Sequence, residues 1–385
     1  MDLELNAEQK LIQDTARAFA QAELEPVAAR LDQAGDQDVF LGNLKKLAEL
    51  GFMGLNIQDD YGGAQAGMVA FSVAITEIAR ACASTAVTVS VNNLVCDVIQ
   101  AVGSEAQKKA YIPKICSGEF VAGSFALTEP GAGSDSAALT TSAVLGGSGW
   151  ILNGTKRFIT SAPYAGVFVV WAVTDKAAPK GKGISCFLVE AGTPGLIVGR
   201  AEQKMGQHAA ETNEVILEQC HIPKEALLGN LNSGFRVAVG ELTGGRIGIG
   251  SLALGIGLAA MDFATRYSQE RVQFDQKITK FQAIQWMIAD AYTELEAARL
   301  LLMQAAFRAD QGRSFAKEAA MAKMYAAEAA NRACYAALQM TGGYGYSKEF
   351  PLERYARDAR VTSIYEGTSE IQRTIIAREI LKEFA

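Results

Sequence analysis

The sequence predicts an α+β protein in which a β domain is set between two helical regions. Three observations predict it. From Asn6 to about residue 120, apolar residues recur at helical spacing. Around residue 120 the pattern changes to short β-branched and aromatic runs divided by turns containing Gly and Pro. From about Ser233 helical spacing returns, in long segments rich in Ala, Leu and Met. The expected domains are 1–120, all-α; 121–232, a central β-sheet or barrel; and 233–385, a helical bundle. At 385 residues the chain exceeds one typical domain, and it shows no internal repeat and no long linker.

Each element has a local reason. Asn6 with Gln9 resembles a capping box, and Leu11, Ile12, Ala16 and Phe19 follow as an apolar stripe. Pro26 interrupts the pattern. Leu44, Leu47 and Leu50 resume it before Gly51, and Asp59-Asp60-Tyr61-Gly62-Gly63 is a turn. A helix is expected near 68–82, and another carries Val91 to Asp97. Strands are expected at 120–127, 166–173, 184–189 and 214–217, with Pro223 near the exit. Bundle helices are expected near 234–268, 280–309 and 313–341, broken by Gly312, Gly342-Gly343 and Gly345. A last helix has Thr368 or Ser369 as N-cap, with Ile371, Ile375, Ile376 and Ile380 at helical spacing.

Composition removes several function classes. A net charge of −6 and a pI near 5.3 leave no basic footprint for nucleic acid. No apolar run reads as long enough to cross a membrane. The acidic start Met1-Asp2-Leu3-Glu4-Leu5 lacks a signal-peptide pattern, so the cytoplasm is the expected location. The cysteines (Cys82, Cys96, Cys116, Cys186, Cys220, Cys334) have no metal-ligand spacing and read as reduced, buried thiols. His208 and His221 are the two histidines, and they are not at ligand spacing. Proton chemistry therefore falls to a carboxylate.

The foremost candidate is Glu366, in Ser363-Ile364-Tyr365-Glu366-Gly367-Thr368-Ser369-Glu370-Ile371-Gln372-Arg373. Between Tyr365 and a flexible Gly367 it is either an exposed loop glutamate or a general base with its pKa raised by desolvation. Asp97, among Val95, Val98 and Ile99, either faces a pocket or lies on the wet side of its helix. Phe125-Ala126-Leu127-Thr128-Glu129-Pro130-Gly131-Ala132-Gly133-Ser134-Asp135 is either a tight strand exit or a set of backbone N–H donors for a ring or phosphate. It lacks the third glycine, the βαβ unit and the acidic residue of a dinucleotide fingerprint. Gly244 and Gly245 are costly inside the helix that Glu241-Leu242-Thr243-Gly244-Gly245-Arg246-Ile247-Gly248 opens, which suits a close approach by ligand.

Together these stretches resemble, over essentially the whole chain and in family order, the motifs of acyl-CoA dehydrogenases, above all short-chain (butyryl-type) members. The resemblance implies an N-terminal all-α domain, a central β domain and a C-terminal four-helix bundle, assembled as a homotetramer (a dimer of dimers). Glu366 matches the base that takes the pro-R α-proton of an acyl-CoA thioester while the β-hydrogen leaves as hydride to flavin N5, giving a trans-2-enoyl-CoA. Phe125, Leu127, Thr128, Gly133 and Ser134 match the family's flavin-contacting segment, with Ser134 also near the CoA arm.

Phe158, Ile159 and Thr160, within Lys156-Arg157-Phe158-Ile159-Thr160-Ser161, match a second flavin segment. Many members carry tryptophan where this chain has Phe158, so stacking is kept and the indole donor is lost. Leu242, Thr243 and Arg246 match the acyl-CoA channel. Gly245 stands where isovaleryl- and long-chain-type members carry their glutamate, which leaves Glu366 as the only family-type base. Arg271, Phe274 and Gln282, and then Gln339, Gly342 and Gly343, match segments that reach the FAD of a neighbouring subunit, with Arg271 on the pyrophosphate. Helix-ending glycines account equally well for the last of these. Tyr365 and Gly367 would flank the base at the substrate, and Thr368 and Glu370 would return to the flavin.

FAD is thus the implied cofactor, with an acyl-CoA substrate, electron-transferring flavoprotein as acceptor, and no metal, nucleic acid or membrane partner. Other readings are an acyl-CoA oxidase, a 1,4-dehydrogenation of a cyclic acyl-CoA, or a non-catalytic flavin-binding homologue. The motifs lean towards short straight acyl chains. A branched, cyclic or polar acyl group is expected if Asp97 faces the acyl tail.

Overall fold

The computed structural model describes residues 4–34 and 36–384, so the start at Met1-Asp2-Leu3 lies outside it. Helix α1 (Ala7–Phe19) opens on the capping box its sequence predicts. Asn6 Oδ1 accepts from the Gln9 N–H at 2.8 Å, and Gln9 Oε1 from the Asn6 N–H at 3.0 Å. Pro26 sits in a short 3-10 turn, where its missing N–H is tolerated. Then come α2 (Ala28–Ala34), α3 (Gln37–Glu49), α4 (Gly67–Ala81), α5 (Ala83–Val102) and α6 (Glu105–Cys116).

The middle domain holds β1 (Ala122–Ala126), β2 (Ser142–Leu145), β3 (Trp150–Thr160), β4 (Ala165–Val173), β5 (Ile184–Glu190), β6 (Leu196–Ala201), β7 (Thr212–Ile222) and β8 (Leu227–Leu228). They form one sheet in the order β6-β7-β3-β2-β4-β5-β8, with β1 paired in parallel beside β4. β4 reads as a continuous apolar run because both of its faces are covered. Val167, Val169 and Trp171 pack with Leu94, Val95, Val98 and Ile99 of α5, whereas Phe168, Val170 and Ala172 point into the sheet's own core. The sequence pattern misses β2, β3, β6 and the two-residue β8. β3 carries Asn153, Gly154, Lys156 and Arg157 in place of an apolar run, and β6 is a largely exposed edge.

The C-terminal helical domain comprises α7 (Gly234–Glu270), a hairpin of β9 (Val272–Gln273) and β10 (Gln276–Lys277), then α8 (Gln282–Asp310), α9 (Ala316–Thr341), α10 (Gly343–Tyr346), α11 (Leu352–Arg360) and α12 (Ser369–Lys382). α9 packs against α7, α8 and α12, while α7 also lies on α4 and α5. That contact is close: a Cβ at Gly255 would lie 2.3 Å from the Thr76 carbonyl oxygen of α4.

One expectation from the sequence is corrected. Two helices, Ala83–Val102 and Gly234–Glu270, are long and apolar enough to cross a membrane, but 72% and 83% of their most apolar windows are buried inside the fold. Their apolarity serves the core. All six cysteines are free and buried.

Candidate active site

Glu366 lies in the tight loop before α12. Thr368 is the N-cap, its Oγ1 accepting from the Ile371 N–H at 3.3 Å, and Ser369 is the first helical residue. Glu366 has φ +56° and Gly367 φ +88°. A non-glycine residue held there costs roughly 1–3 kcal/mol and persists only where its surroundings hold it. Here Gln372 Nε2 donates to the carbonyls of Glu366 (3.2 Å) and Gly367 (3.0 Å), and Lys323 Nζ donates from α9 to the Gly367 carbonyl at 2.7 Å. Lys323 and Gln372 are both fully buried.

The Glu366 carboxylate is seated against α7. A Cβ at Gly245 would lie 2.0 Å from Glu366 Oε1, and one at Gly244 would lie 2.9 Å from Met68 Cε. The group that approaches Gly245 is thus the chain's own carboxylate, where the sequence suggested a ligand. Burial pushes the Glu366 carboxyl up to about 7, against the pull of Arg246 and Lys323. Arg246 is buried, reaches Thr243 Oγ1 at 3.4 Å, and has an Nε with no hydrogen-bond partner. Such an orphaned donor points to an acceptor that arrives with a ligand.

Beside this seat is a tight recess, too narrow to admit a water molecule, lined by Met68, Phe71, Ser90, Leu94, Asp97, Gly244 and Gly245. Asp97 therefore faces this recess. Leu242 is half-buried among the apolar residues between α5 and the sheet. Tyr365 turns its hydroxyl towards Gln207, whose Nε2 donates to it at 3.1 Å.

The two strand-exit segments meet on the middle domain. The Arg157 N–H donates to the Thr128 carbonyl at 2.9 Å, and Ser124 Oγ donates to the Thr160 carbonyl at 2.8 Å. Phe125 lies on Trp171 with ring centroids 4.3 Å apart, and Leu127 is buried. Gly133 has open space where a Cβ would be, and Ser134 beside it is exposed. Phe158 is 60% exposed and held at φ +58°, an aromatic ring displayed at a strained position. Ile159 points into the sheet's core, its backbone paired with Asn213 of β7, and Thr160 is half-buried.

Beneath them lies a buried ion pair, Lys156 Nζ to Glu129 Oε1 at 2.8 Å. Burial alone would raise Glu129, but Lys156 and hydrogen bonds from Thr140 and Thr141 bring it down to about 2. Lys156 also donates to the Leu127 carbonyl at 3.3 Å. The pair ties the first segment to the second.

A second concavity lies at the far end of the helices, an open cleft. Its volume is about 580 Å³ once open solvent is left out, and its lining includes Arg271, Gln339, Gly342, Gly343 and Tyr344. The Arg271 guanidinium stands 5.6 Å over the Tyr344 ring. Phe274, 87% exposed at φ +53°, tips the β9–β10 hairpin, and Gln282 is exposed at the start of α8. Thr368 and Glu370 stay with the base, at the N-terminus of α12. Arg246 and Arg271 are about 38 Å apart along α7 at 1.5 Å per residue. The predicted residues therefore fall in three sets, one around Glu366, one at the two strand exits and one around Arg271.

Lys323 and Gln372 escape a sequence reading. A lysine in an Ala-rich helix reads as surface, and the only signal is that Ala319, Ala320, Ala322, Ala326 and Ala327 around it are all small enough for a buried contact. Glu129 and Lys156 stand in quoted motifs, yet nothing local reveals that they pair. His208 joins the Asp32 and Lys204 carbonyls, each at 2.8 Å, in a structural seam.

FAD fits these surfaces: a displayed aromatic ring, open glycines at a strand exit and an arginine-bearing cleft are what a flat ring and a pyrophosphate need. Comparison with known proteins agrees. Residues 6–119, 124–220 and 232–381 match, in turn, the N-terminal, middle and C-terminal domains of acyl-CoA dehydrogenase. Over 384 residues the chain is 46% identical to a mitochondrial short-chain specific acyl-CoA dehydrogenase of Mus musculus, covering 99% of this chain and 92% of that protein. It is 44% identical over 386 residues to an acryloyl-CoA reductase (NADH) of Anaerotignum propionicum, covering 99% and 96%. The solved structure of butyryl-CoA dehydrogenase from Megasphaera elsdenii superposes with a TM-score of 0.95 at 37% identity, covering 99% of this chain and all of that one.

Proposed function

The chain belongs to the acyl-CoA dehydrogenase family, and on that premise we propose that it carries out the FAD-dependent α,β-dehydrogenation of a short acyl-CoA, with Glu366 as the base. The observation that carries the assignment is the Glu366 carboxyl itself: seated on Gly245 beside a tight recess, its affinity for a proton raised to about 7. A base so poised is half ionised near neutral pH and able to hold the proton it removes.

Each group then has a task. The recess between α5 and α7 opens to take the acyl chain, whose apolar body then excludes water from the reacting carbons. The Glu366 carboxylate removes the α-proton, and its backbone N–H donates to the thioester carbonyl as negative charge develops there. Arg246, with its unanswered Nε, lies along the acyl-CoA channel. FAD, when bound, supplies the acceptor for the β-hydrogen and its electron pair. Phe158, Thr128, Thr160 and the open Gly133 turn would hold its ring, while Ser134 would meet the CoA arm.

Arg271, Gln339 and Gly343 would hold the pyrophosphate and adenosine of the FAD of a neighbouring subunit. About 38 Å of helix from Arg246 is further than one dinucleotide reaches within a single chain. The exposed Phe274, Trp286, Tyr335 and Tyr346 support burial against such neighbours, in a homotetramer. Electron-transferring flavoprotein would take the electrons onward.

The experiment is an anaerobic absorbance titration of the FAD-loaded protein with acyl-CoAs from propionyl to octanoyl, together with isobutyryl and cyclohexanecarboxyl. Bleaching by a short-chain subset, lost in Glu366→Gln while the yellow flavin is retained, supports the proposal. Wild-type-like bleaching in Glu366→Gln would disprove the base.

A further inference from the structure

Proton removal and hydride transfer need a base and a flavin ring held at fixed places about one acyl chain, and here the two belong to different domains. Glu366 stands in the loop before α12, while the strand exits that would hold the ring come from the sheet. Among the described residues, a single middle-domain side chain is hydrogen-bonded to residues 364–368, and it is Gln207. Its Nε2 donates to the Tyr365 hydroxyl and to the Asp358 carbonyl, each at 3.1 Å, and its backbone N–H donates to Asp358 Oδ1. Gln207 is 4% exposed and sits at φ +52°, a conformation that persists only where the surroundings hold it. The hold comes from α11. Arg357 donates to the Met205 carbonyl at 3.1 Å, and a Cβ at Gly206 would lie 2.7 Å from the Arg357 carbonyl oxygen.

Gln207 lies midway in the segment 202–211, which joins β6 to β7 and is fastened at both ends to the second strand exit. Glu202 Oε1 accepts from Arg157 Nε at 2.9 Å, and the Glu211 carbonyl accepts from the Ser161 N–H at 2.8 Å. Thr212, the next residue, pairs with Thr160. One short stretch therefore grips Arg157, Thr160 and Ser161 at its ends and the neighbour of the base at its middle. The loop it grips is itself strained at Glu366, so nothing in the local backbone preference keeps the carboxylate in register with the sheet.

Resting on the dehydrogenase reading, we infer that Gln207 is a positioning residue. Through its bond to the Tyr365 hydroxyl it sets where Glu366 stands relative to the flavin-bearing strand exits, and so governs the rate of transfer while leaving the binding of substrate and FAD alone.

The test uses the acyl-CoA that bleaches the wild-type flavin fastest. Anaerobic stopped flow gives the limiting rate of flavin reduction, and the acyl-CoA concentration at half that rate, for FAD-loaded wild type, Gln207→Met, Tyr365→Phe and the double variant. Methionine keeps the reach of glutamine and removes both side-chain bonds; phenylalanine removes the hydroxyl alone. Each single variant should reduce its flavin about tenfold more slowly, with half-saturation and FAD content within about twofold of wild type. The double variant should be no slower than Gln207→Met, because both changes break one and the same bond. If Gln207→Met is not recovered folded, Gln207→Asn, whose amide is one methylene short of Tyr365, takes its place in the same cycle. An unchanged rate in either single variant overturns the inference and leaves the dehydrogenase reading standing. So does a loss that appears in half-saturation or FAD content in place of rate, or losses that multiply in the double variant. Failure of every acyl-CoA to bleach the wild type overturns that reading, and the inference with it.

Discussion

Oε1 of Glu366 takes up the room that a Cβ at residue 245 would need, since the two would be 2.0 Å apart. The seat of the base is therefore a missing methyl group on another helix. Because the atom that would be struck is the free end of a side chain, the helix can accept a larger residue by pushing the carboxylate aside.

Gly245→Ala is accordingly expected to separate stability from activity. Removing a glycine from the interior of α7 should leave stability unchanged or raise it by up to about 1 kcal/mol. kcat should fall by about a hundredfold, because a displacement of about 1 Å at the reacting group costs that much. Urea unfolding and stopped-flow flavin reduction on the same preparation measure the two effects; a variant as fast as wild type would sink the seating argument.

Lys323 holds the Gly367 carbonyl and lowers the pKa of Glu366 through its charge. The reaction needs the carboxylate, so kcat/KM should rise with pH through the Glu366 value near 7. In Lys323→Met that rising limb should move to higher pH, since an opposing charge is gone. A limb that stays in place would mean that the lysine serves the loop's shape alone.

Protons also bear on stability here. Glu366, Glu241 and Asp97 have folded values of about 7, 7 and 8, all raised above their ordinary values near 4. For a raised value the folded chain holds the extra proton, so the stability they contribute is present below about pH 4 and is lost as pH rises through 7 to 8. The Tm of the FAD-free protein is expected to fall between pH 5 and 8, and to fall less in Asp97→Asn. Differential scanning calorimetry across that range checks both slopes.

The Glu129–Lys156 pair is fully enclosed. Lys156→Met would strand the Glu129 carboxylate and should cost about 3–5 kcal/mol in a urea melt. The double variant Glu129→Gln, Lys156→Met should recover part of that loss, because two uncharged groups need no partner. Equal losses in the single and double variants would show that shape, not charge, is what the pair supplies.

If FAD sites are shared, Arg271→Ala and Glu366→Gln should each be inactive for different reasons, the first by losing FAD and the second by losing the base. Co-expressed and purified as mixed oligomers, they should regain a fraction of wild-type activity. Sites that pair a wild-type base with a neighbour's wild-type arginine would supply it. Mixtures with no activity would place both residues at one site within one chain.

Much of the architecture was legible because its signals are local. The Asn6–Gln9 capping box, the Thr368 cap and the lengths of α7, α8 and α9 follow from neighbours a few residues apart. β3 stayed hidden because its side chains alternate and its polar members Lys156 and Arg157 find partners far off in sequence. Glu366 and Asp97 could be named as acids with two possible fates. What decided between those fates was α7 passing beside α5 and the α12 loop, a long-range fact that no window of sequence contains. For the same reason Lys323, an acceptable surface residue by spacing, could not be seen as the buried hand under the loop.

The left-handed backbone at Glu366 has a consequence for any selection practised on this protein. Glycine would relax that conformation, and the buried carboxyl would go with it, so Glu366→Gly should yield a sturdier molecule that does nothing. Screens that reward heat resistance or expression, blind to turnover, will drift towards this dead end. Durability and chemistry are opposed at one residue, and only an assay that reads the flavin can keep a population on the working side.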